Sequence, residues 1–167
     1  MDVLLDTIAG IKTDKPFKLL ILAGNSFAPF EAAAKRLGIT DKIIVRESVS
    51  DIENYLQAAD VGLMTSDTES FCLSILEAMF FAVPSVSTSV GGIPEVIEDS
   101  VTGYLCPQGD AELLAAKVQL LIEDKEKREE LGRNAQVQAR ARFCTGVVVP
   151  QYEELYHGLL KAVSARC

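Results

Sequence analysis

The sequence is poor in the residues from which metal centres are built. Its 167 residues hold one histidine, His157, and four cysteines, Cys72, Cys106, Cys144 and Cys167, widely spaced and without a CxxC pair. That spacing offers neither a tetrahedral ligand set nor a disulfide framework. It predicts free thiols, a reducing cytoplasmic setting and no resident metal. No apolar run approaches the roughly 20 residues of a membrane span. The N-terminus MDVLLDTIAGIKTDK has neither the basic start nor the small-residue cleavage site of a signal peptide. Neither export nor a membrane partner is expected.

Positive charge is also scarce. Sixteen Lys and Arg stand against 24 Asp and Glu, a net charge of −8, so binding to nucleic acid would need a local basic patch strong enough to overcome the overall field. The nearest candidate, KEKREELGRNAQVQARAR, interleaves its cations with Glu126, Glu129 and Glu130 at helical spacing and reads as a solvated helix face. Internal repeats, low-complexity tracts and linkers are absent too. With 49% hydrophobic and 24% charged residues, the chain is expected to form one globular domain over residues 1–167.

What is present is an alternation. Apolar spacing predicts a helix from residue 2 and then a strand in FKLLILAG, a continuous apolar run with the look of burial on both faces. Further helix and strand pairs follow: a helix over Pro29–Leu37 with KIIVRE, IENYLQAA with VGLMT, a helix from Ser70 to Phe81 with PSVST, and IPEVI with GYLCP. From Asp110 onward the pattern is helical throughout, with Pro150 in the first turn of the last helix. The fold class expected is therefore α/β, a single Rossmann-like parallel sheet with helices on both faces. In such sheets ligands bind beyond the carboxyl ends of the strands, which selects the loops after LAG, VRE, MTS and VST.

One of those loops opens the stretch ESFCLSILE, in which Glu69 and Glu77 stand eight residues apart around a small and apolar segment. Ser70 suits the cap position of the following helix. The amides of Phe71, Cys72, Leu73 and Ser74 would then face the crevice with about half a positive charge, a seat for phosphate. Two carboxylates about 10 Å apart along a helix are badly placed to share a proton or a metal, but they can hold two parts of one extended ligand, and paired sugar hydroxyls are suitable donors to them. The plainer alternative makes Glu69 a solvated loop acid and Glu77 a surface helix acid. Gly91 and Gly92 fit a tight turn, with Pro94 and Glu95 opening a helix. His157, on a late helix, is no candidate base.

The window ESFCLSILEAMFFAVPSVSTSVGGIPEVIEDSVTGYLCPQGD resembles the donor half of the GT-B retaining glycosyltransferases of family 4, the glycosyl transferases group 1. The resemblance is carried by the Glu-x7-Glu pair, EAM, VPSVST, GGIPEVI, TGYL and the closing GD. It extends from about Asp2 through ADVGLMTS to QYEELY. Within the family it is greatest to the N-acetylglucosaminyl-malate synthases of bacillithiol synthesis, through ESFCLSILEAM, VGGIPEVIED and TGYLCPQGD.

The resemblance implies a transferase that takes a nucleotide sugar, UDP-linked, as donor and needs no other cofactor. Glu69 would contact hydroxyls of the transferred sugar and Glu77 the ribose. Amides of Phe71, Cys72 and Leu73 would lie against sugar and diphosphate, and the main chain around Glu47 and Ser48 against the base. The resemblance assigns no catalytic residue. Cys72 and Ala82 stand where many members have glycine, and AGNSF where AGDGP is usual; a thiol at position 72 would narrow the approach to the phosphate. The family also carries a strand with an Arg and a nearby Lys just before the first helix, preceded by an acceptor domain. The resemblance thus implies that this chain lacks its first strand and its N-terminal partner domain. It should show a gap or unpaired edge in the sheet, bind donor weakly and turn over negligibly alone. A homodimer through that edge or the last helix is a further expectation. The alternative function is a non-catalytic Rossmann-like oligomerisation module. A receiver-like signalling domain would need clustered acids after the first strand, which LILAGNS does not supply.

Overall fold

The computed structural model describes residues 1–24 and 26–164; Asn25 of the AGNSF loop and Cys167 lie outside them. Five strands alternate with helices as the apolar pattern predicts: α1 (Asp2–Gly10), β1 (Leu19–Ala23), α2 (Ala28–Arg36), β2 (Ile43–Glu47), α3 (Ile52–Ala58), β3 (Gly62–Met64), α4 (Leu73–Phe80), β4 (Ser85–Thr88), α5 (Ile93–Val96) and β5 (Gly103–Cys106). Three long helices follow, α6 (Ala111–Glu123), α7 (Lys125–Phe143) and α8 (Thr145–Ser164). Every strand pair is parallel.

The strands pair in two sets, β1 with β2, and β3 with β4 and β5. The gap expected in the sheet thus falls between β1 and β3, among the described residues. The two-faced burial expected of β1 is not observed. Ile21 is buried, but Leu20 is 37% exposed, because the α1 and α2 cluster covers only one side of this pair.

In the three-stranded set the period of two sorts side chains to opposite faces. Leu63, Val86, Tyr104 and Cys106 join a cluster with α1 and α6, whereas Met64 and Leu105 join one with α4, α5 and α7. β4, central in this set, is buried at every position. Asp110 and Asp124 cap α6 and α7, accepting from the amides of Leu113 and Lys127 at 2.9 Å. The basic stretch of α7 forms Lys125–Glu129, Lys127–Glu130 and Arg133–Glu129 pairs, as a solvated face should.

Two helix starts differ from the sequence reading. α4 begins at Leu73, with Cys72 as its cap residue in a left-handed conformation (φ 62°) and no side-chain cap bond, so Ser70 lies in the loop and does not cap. α8 begins at Thr145, which puts Pro150 inside the helix rather than in its first turn. Being without an N–H, Pro150 cannot complete the bond to the carbonyl four residues earlier.

α4 ends in a Schellman turn: Val83 N donates to Ala78 O and Ala82 N to Met79 O, both at 3.0 Å. The left-handed position falls on Ala82 (φ 59°), where a β-carbon is strained. Ala82→Gly relieves about 1–2 kcal/mol of that strain and loses about 0.5–1 kcal/mol to unfolded-chain freedom. A net gain of about 0.5–1 kcal/mol is expected, read as a higher urea midpoint at unchanged slope.

Candidate functional site

The carboxyl ends of β3, β4 and β5 deliver three loops that converge on the segment from Ser66 to Ser74. Thr88, the last residue of β4 and fully buried, donates its Oγ1 hydrogen to Ser66 O at 2.7 Å. Ser66 Oγ donates to Glu69 Oε1 at 3.1 Å. From beyond β5, Gln108 Nε2 donates to Asp67 Oδ1 at 3.2 Å. Glu69 is consequently half-buried and held in place rather than solvated on a free loop.

Behind this loop lie the two glycines. A β-carbon on Gly91, whose φ is +54°, would stand 1.6 Å from Glu69 O, and one on Gly92 would stand 2.1 Å from Ser70 O. Gly92 N also donates to Glu69 O at 3.4 Å. The sequence reading took this pair as a tight turn from strand to helix. In the structure the pair also lets the β4–α5 loop touch the backbone of the Glu69 loop. A double glycine in a carboxyl-edge loop was the available signal, whereas Ser66 and Thr88 carried none.

Glu77 is exposed, one helical turn inside α4 from Leu73. Between the acids, Ile75 N and Leu76 N turn back to Cys72 O, while the amides of Leu73 and Ser74 have no partner among the described residues. They are the open donors of this helix end. Phe71 N and Cys72 N precede the helix and belong to the loop. Ser70, Leu73 and Ser74 are exposed. Phe71 is anchored edge-on to Phe143 of α7, ring centroids 5.6 Å apart.

The Cys72 thiol does not obstruct the crevice as the sequence suggested. It is buried in the cluster of Ile75, Leu76 and Met79, with Sγ 3.4 Å from Ser74 Oγ, because the left-handed backbone turns its β-carbon inward. Cys106 is buried as well, and burial pushes its thiol up to about 11, so it is not a thiolate at neutral pH.

Glu47 and Ser48 lie at the end of β2, in the other strand set. Glu47 Oε1 accepts from Phe27 N at 3.3 Å. Ser48, left-handed at φ 55°, extends the β1–β2 ladder by donating to Ala23 O at 3.2 Å. No hydrogen bond joins either residue to the Glu69 loop among the described residues. His157 is exposed on α8. Groups of three or more His, Cys, Asp or Glu that could hold a metal do not occur among the described residues, and no helix there is long and apolar enough to cross a membrane.

A hydrogen-bonded acid, the open amides of a helix end and a second acid one turn on thus lie together at the carboxyl ends of β3, β4 and β5. The sequence model of the family described as glycosyl transferases group 1 matches residues 1–138, and the chain belongs to that family. The N-acetyl-alpha-D-glucosaminyl L-malate synthase of Bacillus anthracis is 36% identical over 154 residues, 92% of this chain and 40% of that protein. Among solved structures, Anabaena HepE in complex with UDP and glucose superimposes with a TM-score of 0.86 at 26% identity, over 93% of this chain and 44% of that one. The sucrose-phosphate synthase of Thermosynechococcus elongatus gives 0.88 at 25% identity, over 96% and 42%. The fold is that of the C-terminal half of GT-B glycosyltransferases, and the chain spans about 40% of the length of each of these three proteins.

Proposed function

We propose that this chain is the nucleotide-sugar-binding domain of a retaining glycosyltransferase that moves a hexose, N-acetylglucosamine first among the candidates, from UDP to an acceptor held by a second domain. Glu69 takes hydroxyls of the sugar, Glu77 those of the ribose, the amides of Phe71 to Ser74 the diphosphate, and the main chain at Glu47 and Ser48 the base. The observation that carries this reading is Glu69, fixed at the mouth of α4 by Ser66 with the open amides of Leu73 and Ser74 and exposed Glu77 beyond it. Support comes from HepE, whose structure holds UDP and glucose, and from the name of the malate synthase relative.

A helix end contributes only about 0.3–1 kcal/mol per exposed charge, so the chain alone binds donor weakly and turnover by it is negligible. Titration with UDP, UDP-N-acetylglucosamine and GDP-mannose, followed by amide NMR, tests the reading. The two UDP compounds are expected to shift Glu77 and Phe71 to Ser74 at millimolar concentration or below, and GDP-mannose to shift them less. Silence of these residues toward every nucleotide overturns it.

A second reading, an oligomerising module, is favoured by the divided sheet and by Tyr152, Leu155, Tyr156 and Leu159 of α8, each more than half exposed and not folded back onto the domain. A stable dimer by light scattering that ignores UDP would support it, and a monomer whose α4 amides respond to UDP would exclude it.

A further inference from the structure

We infer that Ser66 and Thr88 are positioning residues that set which carboxylate oxygen of Glu69 faces the sugar, an inference that rests on the donor-site reading. The three residues form one directed chain. Thr88 Oγ1 donates to the main-chain carbonyl of Ser66 at 2.7 Å, which fixes where the Ser66 side chain starts. Ser66 Oγ then donates to Glu69 Oε1 at 3.1 Å, so its single hydroxyl hydrogen is spent on that oxygen.

The origin of the chain is rigid. Thr88 is β-branched, fully buried, and ends the central strand of its set, so its hydroxyl has few alternative directions. Glu69 lies outside α4, whose start at Leu73 places three loop residues between acid and helix. Its side chain is therefore aimed from β4 through Ser66 and not by the helix it precedes. Oε1 is committed to the protein, while Oε2 has no partner among the described residues. An ionised carboxylate has about four acceptor sites and no donor; with one side occupied, Oε2 is the oxygen left to receive sugar hydroxyls.

The consequence separates sugar from nucleotide. Ser66 and Thr88 hydrogen-bond to neither the amides of Leu73 and Ser74 nor Glu77, so removing their hydroxyls should weaken the part of affinity that the sugar adds and spare the part that UDP supplies. A merely structural staple would weaken both alike.

The test compares dissociation constants for UDP and UDP-N-acetylglucosamine in the wild-type chain, Ser66→Ala, Thr88→Val, Thr88→Ser and the double variant S66A/T88V. The UDP constant should stay within about twofold throughout, whereas the added affinity of the sugar falls about tenfold in S66A and T88V, the scale of a hydrogen bond to a charged group. Thr88→Ser, which keeps the hydroxyl, should restore it. The double variant should fall no further than S66A, because Thr88 acts through Ser66. Ser66 lies in a half-buried loop, so S66A decides the matter even where T88V does not fold. UDP binding with a sugar contribution unchanged in S66A overturns this inference and leaves the donor site standing. Absence of any UDP binding in the wild-type chain overturns the donor site itself, and the inference with it.

Discussion

Alanine at Gly91 is expected to destabilise the domain by about 2–5 kcal/mol and to abolish any ligand response at Phe71 to Ser74. Two costs add at this position. The left-handed backbone disfavours a β-carbon by about 1–2 kcal/mol, and the added carbon would stand 1.6 Å from Glu69 O and 2.8 Å from Glu69 C. Both partners are backbone, so no rotamer change relieves the overlap, and forced insertion into packed structure costs a further ~1–3 kcal/mol. The cheapest escape is to push the Glu69 loop outward, which stretches the Ser66–Glu69 bond and moves the acid off its place. Gly109 provides the control. It too is left-handed, at φ 77°, but nothing lies within 4 Å of its added carbon, so Gly109→Ala should show the conformational cost alone, about 1–2 kcal/mol, with α4 undisturbed. Urea unfolding and amide spectra of both variants decide it. A Gly91→Ala protein within 1 kcal/mol of wild type, its α4 amides unmoved, would refute the clamp.

The same loop shows why the sequence disclosed the elements of this protein better than their junctions. Helix and strand order follows from apolar period, which is local, and each of the ten elements through β5 appears where that period put it, with boundaries a few residues off at α4. That helix was placed at Ser70 because a serine before an apolar run is a good cap, yet the backbone turns left-handed at Cys72 and delays the helix to Leu73. Nothing in a cysteine announces that conformation. Thr145 was likewise missed as the start of α8 because Pro150 reads as a first-turn residue, although five residues precede it in the helix. Strand pairing is non-local, so the place where the sheet divides could be anticipated only from the resemblance. The acids were visible as a spaced pair, but what aims Glu69 was not. Ser66 and Thr88 lie 22 positions apart, and a lone hydroxyl acquires meaning only when folding brings its partner within reach.

Gly132→Ala in α7 pits helix propensity against packing, and packing is expected to win by a margin that propensity alone would reverse in sign. Alanine in a helix interior is better than glycine by about 0.8–1.0 kcal/mol, so the sequence by itself recommends the change. In the fold, however, the added carbon would meet Ala82 O at 2.1 Å, Ala82 C at 3.0 Å and Pro84 Cδ at 3.3 Å. Gly132 is the point where α7 crosses the turn that ends α4, and its lack of a side chain allows helix and turn to touch. Separating them would loosen the cluster in which Ala135 and Ala139 pack beneath Ile75 and Met79. Those residues support the buried face of α4, so lost stability should be accompanied by broadened amides along that helix. Overpacking costs about 1–3 kcal/mol, and with the propensity gain of about 1 kcal/mol offset against it a net loss of up to about 2 kcal/mol is expected. Gly158 of α8 gives the opposite case, with nothing within 4 Å of its added carbon; Gly158→Ala should be neutral or stabilising by up to about 1 kcal/mol. Opposite signs for two glycine-to-alanine changes in neighbouring helices, read from urea midpoints at unchanged slope, would establish the α7–α4 contact as the cause. Stabilisation by both would show that α7 does not touch the turn at Ala82.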